Sequence, residues 1–341
     1  ASSNTVTQSM ISSPWSAAVA FTGYSGGNGM SGAAFNTISL STLTNDSNTD
    51  FTLEFSGMIN GGPLLSTGNV ISDSYIYNSL GDAALVNFAV LTTISRSTLV
   101  AGGLSGIGLV VDDFYGSSTT ITDCYVRGST AVLVDSPDQT AIEASVLTGN
   151  GGFGDAGIRL FAENAGSIRL SSNTIRAVSY GLSISSPAAG FGLSVESLIF
   201  RSLVPGATAI SVSGGDIIST LTAVNFADSS VAVNVDGSLL GSPSRITMRE
   251  ASGARSGPLY ENDPAGRVDW PDYVPLTGIV KVWDGGGLTQ YASEAANWSG
   301  DSAPSAGDKV LFGPASGKDC SWDMAISVAS MTLAPGYSGM V

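Results

Sequence analysis

The chain contains no histidine. That removes Ser-His-Asp and Cys-His catalysis and His-ligated zinc together. Its two cysteines, Cys124 and Cys320, stand far apart with no CxxC, so no disulfide scaffold is expected. Charged residues make up only 12%, and 13 Lys and Arg face 28 Asp and Glu for a net charge of −15. A chain this acidic is a poor match for a phosphate backbone, and nucleic acid is not expected as a partner. No apolar run approaches the roughly 20 residues a membrane helix needs, so no direct membrane span is expected. The chain opens at Ala1 rather than Met, which suggests processing or a piece of a longer polypeptide.

What is abundant is glycine, 43 of 341 residues, together with Ser and Thr, while hydrophobic residues still reach 43%. That content argues against disorder and for an all-β protein with many turns. One pattern recurs: apolar-x-x-small-x-apolar. It reads Ile71, Ser74, Ile76; Ile94, Ser97, Leu99; Ile121, Cys124, Val126; Ile142, Ser145, Leu147; Leu170, Asn173, Ile175; Val195, Leu198, Phe200; Leu221, Val224, Phe226; and a degraded Ile246, Arg249, Ala251. The period is about 25 residues, in the range of stacked repeats. A second column runs beside it through Leu85, Ile107–Leu109, Val132–Val134, Ile158–Leu160, Leu182–Ile184, Ile210–Val212, Val233–Val235 and Leu259. Each repeat is therefore read as strand, bend, strand, loop, strand. A lone rung burying about six side chains at roughly 1.5–3 kcal/mol each does not offset about 1–2 kcal/mol of backbone ordering per residue. A stack of rungs does.

The pattern resembles the right-handed parallel β-helix of the pectate-lyase-like superfamily, where small polar residues stack rung over rung at a bend. Ser74, Ser97, Cys124, Ser145 and Asn173 look like such a ladder. The resemblance covers roughly residues 32–260 and implies about 8–10 rungs of about 25 residues. Residues 1–31 read as an irregular cap over the first rung and 261–277 as a linker. From Gly278 the composition changes to V-W-D-G-G-G-L, A-A-N-W-S-G-D and G-D-K-V-L-F, and three of the five Trp lie there. This resembles a WDGGG…NWS…GD.V.F module of very large secreted bacterial surface proteins. Residues 278–341 are thus expected to start a second, incomplete β-rich module.

Relatives with this fold are often polysaccharide lyases or hydrolases, and the resemblance implies clustered Asp residues for the hydrolases, or calcium held by acidic residues with an Arg or Lys base for the lyases. Candidates here are sparse. Asp112 and Asp113 form one carboxylate pair, and Asp123 joins Asp73 and Arg96 in a column that reads as cross-rung charge pairing. For calcium without catalysis, Asp135, Asp138 and Asp155 lie near oxygen-rich turns, although no D-x-D-x-D-G loop occurs. For sugar stacking, Tyr75 and Tyr125 share an outward column, and Phe114, Tyr115 and Phe153 sit in the longest loops. Asn45-Asp46-Ser47 and Asn297-Trp298-Ser299 fit glycosylation sequons.

The reading that results is a secreted, cell-surface rod, structural or adhesive rather than enzymatic. Its expected partners are other copies of itself, other surface proteins or a glycan. A polysaccharide lyase or hydrolase is the first alternative, and a phage tail-spike-like rod the second.

Overall fold

The computed structural model describes the whole chain except residues 1–2, 23, 27–28, 32–33, 58–65, 113–117, 152–154, 178, 203–206, 216, 227–230, 236–244, 250–251, 254–260, 263–267, 270–273, 276–279, 300 and 315. Three long sheets of 11, 11 and 10 strands dominate it. The first runs from Thr5–Thr7 to Val268–Asp269, the second from Met10–Ser13 to Val274–Pro275, and the third from Val19–Thr22 to Glu261–Asn262. Every turn of the chain visits the three sheets in order, and each strand pairs in parallel with its counterpart one turn on. The molecule is a parallel β-helix.

Period-2 alternation decides which side chains enter it. On the first sheet Ile38, Ile71, Ile94, Ile121, Ile142, Leu170, Val195 and Leu221 stand in register and are buried. Leu43, Ile76, Leu99, Val126, Leu147, Ile175 and Phe200 do the same on the second. Together with the third sheet they form one continuous core. The register differs from the sequence alignment in three places. Leu109 and Val111, not Ile107 and Leu109, pair with Val132 and Val134. Leu221 pairs with Met248 rather than Ile246, a two-residue shift that leaves both facing inward. Leu85 is outward, because Ala84 and Val86 are the buried pair, and a one-residue shift exchanges the faces.

The rod also extends past both expected limits. Thr5–Thr7, Met10–Ser13 and Val19–Thr22 pair with the three strands of the next turn, so most of the expected cap is a full turn. Phe21 stacks on Phe55 with ring centroids 5.3 Å apart. The first two steps are 32 and 33 residues long, against 23, 21 and 28 at later ones, which hid them from a search at a period of about 25. At the other end the expected linker contributes Glu261–Asn262, which completes one turn, and Val268–Asp269 and Val274–Pro275, which begin another.

Between first and second sheet the chain turns through one left-handed residue per rung. Gln8, Leu40, Asp73, Arg96, Asp123, Ala144, Ser172, Ser197 and Ala223 all have φ between +45° and +55°. None is glycine, and the conformation costs each roughly 1–2 kcal/mol. Each N–H is compensated by the carbonyl of the following turn, as in Asp73 to Ser95 at 3.1 Å and Ala144 to Ser171 at 2.9 Å. The backbone ladder therefore crosses the corner unbroken.

A second, separate core lies near the C-terminus. Val280–Trp283, Lys309–Phe312 and Ser330–Leu333 form a three-stranded parallel sheet. Trp283, Trp298 and Phe312 are fully buried, with Trp283 and Trp298 edge to face at 5.0 Å. Both indoles donate to backbone carbonyls, Trp283 to Lys318 and Trp298 to Ala292. The glycine run of the motif curls around a cation: the Lys318 ammonium donates to the carbonyls of Gly285 and Gly287 and to Asn297 Oδ1. Gly285, at φ +68°, lies where a Cβ would run into the Ser316 hydroxyl.

Candidate functional site

The bend ladder is the most regular polar feature. Immediately after the first seven of these left-handed residues a small side chain turns inward: Ser9, Ser41, Ser74, Ser97, Cys124, Ser145 and Asn173. The Ser41, Ser74, Ser97, Cys124 and Ser145 side chains donate to the carbonyl two residues back. The same side chains accept the backbone N–H of the preceding turn, as in Ser74 N–H to Ser97 Oγ at 3.1 Å and Cys124 N–H to Ser145 Oγ at 3.0 Å. Asn173 closes the run, accepting from Ser145 N–H at 2.9 Å and donating to the Ile142 carbonyl at 2.6 Å. These bonds all run inside the wall. Burial raises the Cys124 thiol to about 11, and the group has no reactive character.

A second polar stack was missed in the sequence. Asn4, Asn36 and Asn69 hand a hydrogen bond from amide to amide at 2.8 and 2.9 Å, ending on Ser66 Oγ at 2.7 Å. Three asparagines 32 and 33 residues apart were the available signal.

Among the candidate acids, Asp112 has its carboxyl shifted upward. It ends a strand of the third sheet, in register with Asn87 on one side and Asp135 on the other. Burial, and then the Asp135 charge, push its carboxyl up to about 6. Its Oδ1 and that of Asn87 are buried with no hydrogen-bond partner among the described residues. Asp113, Phe114, Tyr115 and Phe153 lie outside the described residues. Asp123 is exposed at the bend, and its N–H serves the Glu143 carbonyl. Its neighbour in the column, Arg96, holds Asp73 through two bonds of 2.7 Å, so that carboxyl lies below its ordinary range.

The three acids considered for calcium do not assemble. Asp155 is fully buried and accepts from Ser179 N–H at 2.9 Å, while Asp135 and Asp138 flank the turn after the third-sheet strand. No group of three metal-ligating side chains occurs among the described residues. The calcium that a lyase resemblance implies does not fit them. Both sequon asparagines are buried: Asn45 bonds the turn at Asp50 and Phe51, and Asn297 bonds Thr289 and Tyr291 carbonyls.

Two outer surfaces remain. A shallow groove of about 560 Å³ crosses five strands of the first sheet, lined by hydroxyls such as Thr120, Ser194 and Thr220, with Gln139, Ile218 and Arg169. It has no carboxylate in its lining, and Arg169 is paired with Glu143 at 3.0 Å. On the second sheet Tyr75 and Tyr125 stand in one outward column with Thr98 between them, 41% and 36% exposed. Tyr75 is stacked on Tyr77 at 6.2 Å, so the two candidates do not make a continuous platform. No helix among the described residues is long and apolar enough to cross a membrane.

No family model matches this chain, and no curated protein matches it. Among solved structures, the crystal structure of pectate lyase Pel9A aligns over 79% of this chain and 69% of its own, at 12% identity and a TM-score of 0.40. At that distance neither chemistry nor substrate transfers, and the β-helix stands on its own strand pairing.

Proposed function

We propose that the rod is a structural or adhesive extracellular element that presents its side-chain faces to a glycan, a neighbouring surface protein or another copy of itself. The observation that carries this reading is the groove on the first sheet. It is long, open along the rod and rich in hydroxyls, and its one cation is already neutralised by Glu143. Such a surface has the means to hold an extended ligand and lacks the paired, pKa-separated groups that bond cleavage needs. The experiment is adsorption without turnover. Beads coated with the full chain are mixed with a panel of extracellular polysaccharides, and bound polymer and its chain length are both measured. Retention with unchanged chain length is expected. Shortened chains, or new unsaturated or reducing ends, overturn the reading.

One observation favours a second reading, a polysaccharide lyase or hydrolase. Asp112 holds a proton to about pH 6, as a general acid does, and Asp135 lies one turn away. If the panel shows cleavage, Asp112→Asn is expected to abolish it, and a fully active variant removes Asp112 from the chemistry.

A further inference from the structure

We propose that Lys318 and Asn297, in the C-terminal core, join in an intramolecular isopeptide bond, with Glu294 carrying a proton between them. The proposal concerns that core alone and is independent of the adhesive reading of the rod.

Asn297 is fully buried, and both ends of its carboxamide are held. Its Nδ2 donates to the Thr289 and Tyr291 carbonyls at 2.9 and 3.0 Å and to Glu294 Oε2 at 3.2 Å. Its Oδ1 accepts the Gly287 N–H at 3.0 Å. The Lys318 ammonium reaches that same oxygen at 3.0 Å. Lys318 is itself anchored, because its backbone carbonyl accepts from the Trp283 indole at 3.0 Å and from the Tyr337 hydroxyl at 2.9 Å. An amine, a carboxamide and a carboxylate are thus fixed side by side. Groups held in this way react as if at very high concentration. Asn297 and Lys318 are 21 residues apart, and the loop that a bond would close contains Lys309–Phe312, the middle strand of the sheet. Both cysteines are free, so no disulfide supplies such a closure.

The chemistry balances without a co-reactant. Lys318 must first lose a proton, since only the neutral amine is a nucleophile. Glu294 is the nearby acceptor. Its hydrogen bond from the Thr289 hydroxyl, and then bonds from the Leu288 and Thr289 N–H groups, keep its carboxyl below the ordinary range and ionised. The Nζ lone pair then attacks Asn297 Cγ, and the Gly287 N–H holds the oxygen as it turns negative. Glu294, already on Nδ2, returns its proton there. The Cγ–Nδ2 bond breaks, and ammonia leaves with the second Nζ proton as ammonium. A lysine ammonium and a carboxamide become a secondary amide and an ammonium ion, and nothing is oxidised or reduced. Three oxygens, those of Gly285, Gly287 and Asn297, favour the charged amine. The first proton loss is therefore the uphill step, and linkage is expected to quicken as pH rises toward the lysine range.

The test is the intact mass of the full chain, measured after incubation at neutral and mildly alkaline pH. The wild type is expected to weigh less than its sequence by one ammonia, about 17 Da. Trypsin does not cut after an acylated lysine, so residues 282–309 are expected to emerge joined to 310–341. Lys318→Arg keeps a cation for the glycine carbonyls without the amine, and is expected to show the full mass of its sequence. Glu294→Gln is expected to link at least tenfold more slowly at neutral pH, with a smaller deficit as pH rises. Near-ultraviolet circular dichroism of the buried Trp283 and Trp298 checks that each variant is folded. The wild type needs no variant to decide the matter. A full sequence mass at both pH values leaves the contact as a hydrogen-bonded ammonium and overturns the proposal. Loss of ammonia without the joined peptide, or in Lys318→Arg, marks a succinimide at Asn297 and overturns it too. A joined peptide formed equally fast by folded Glu294→Gln overturns the part given to Glu294.

Discussion

At the bend between the first two sheets, Ser74, Ser97, Cys124 and Ser145 each give a hydrogen to one carbonyl and take one from a backbone N–H. At the far edge of the third sheet, Asn87, Asp112 and Asp135 are also stacked turn over turn, yet the Oδ1 atoms of the first two are buried without a partner. Both are polar rows generated by the same helical repeat. The difference lies in the backbone beside them. A left-handed residue precedes each ladder position and turns the ladder residue's own N–H toward the next turn, where a small side chain accepts it. A left-handed residue also follows Asn87, Phe88 at φ +50°, but its N–H goes to the Asp112 backbone carbonyl, and no donor among the described residues meets the Asn87 or Asp112 Oδ1. Stacking alone therefore neither stabilises nor destabilises, and the local supply of donors decides which.

The largest expected effect comes from breaking the satisfied row at its end. Asn173→Leu removes the acceptor of Ser145 N–H and the donor to the Ile142 carbonyl, both inside the wall. Two buried groups left bare are expected to cost about 4 kcal/mol, read as a shift in the chemical-denaturation midpoint. A loss below about 1 kcal/mol would show that the ladder is incidental. Leucine is not foreign to the column, since Leu198 and Val224 occupy the next two turns, where Phe200 stacks on Phe226 at 5.8 Å. Apolar packing takes over there, and Asn173 marks the junction.

A milder break is Ser74→Ala. One buried N–H, that of Ser41, loses its acceptor, and the Ser72 carbonyl loses one of its donors. About 1.5 kcal/mol is expected from the same denaturation measurement. The same substitution made at an exposed serine with no inward bond is the control.

These ladders differ in how far the sequence exposed them. Ser74, Ser97, Cys124, Ser145 and Asn173 were legible because the apolar residues three before and two after them keep fixed spacing within a rung. The Asn4–Asn36–Asn69 row was not, because the loops of the first two turns lengthen the steps to 32 and 33 residues. Loop length varies freely in a solenoid while the strand register stays fixed, so a search at constant period loses the ends first. The outward column Arg127, Thr148, Arg176 and Arg201 on the second sheet was illegible for another reason: its members are scattered in sequence and share a face only once each strand is set in register. Asp112 was visible as a carboxylate, but its burial and missing partner belong to the fold.

The unsatisfied row gives a smaller effect of opposite sign. Asp112 titrates at about 6 in the folded chain, above the ordinary Asp range near 4. The native state therefore binds more protons than the unfolded one between those values. Stability is greatest below about pH 4, falls as pH rises through 6, and stays lowered above it. Asp112→Asn is expected to raise stability at pH 7 by about 1 kcal/mol, after allowance for the half-exposed site, and to flatten melting temperature against pH in that window. An unchanged slope would mean that the carboxyl finds a partner in solution.

The smallest effect separates the geometry of the bend from its charge. Asp73 is held in the left-handed region at φ +51°, and its carboxylate is gripped twice by Arg96. Either feature alone offers an account of why the corner holds. The pair is largely exposed, so solvent and salt screen it. Asp73→Asn removes the charge but keeps a side chain that tolerates the left-handed conformation, and the N–H still reaches the Ser95 carbonyl at 3.1 Å. The melting temperature at neutral pH is expected not to move, in low or high salt. A clear drop at low salt that high salt abolishes would assign the corner to the ion pair. An unchanged value leaves it with the backbone, which is consistent with Ala144 and Ala223 adopting the same conformation with no charge at all.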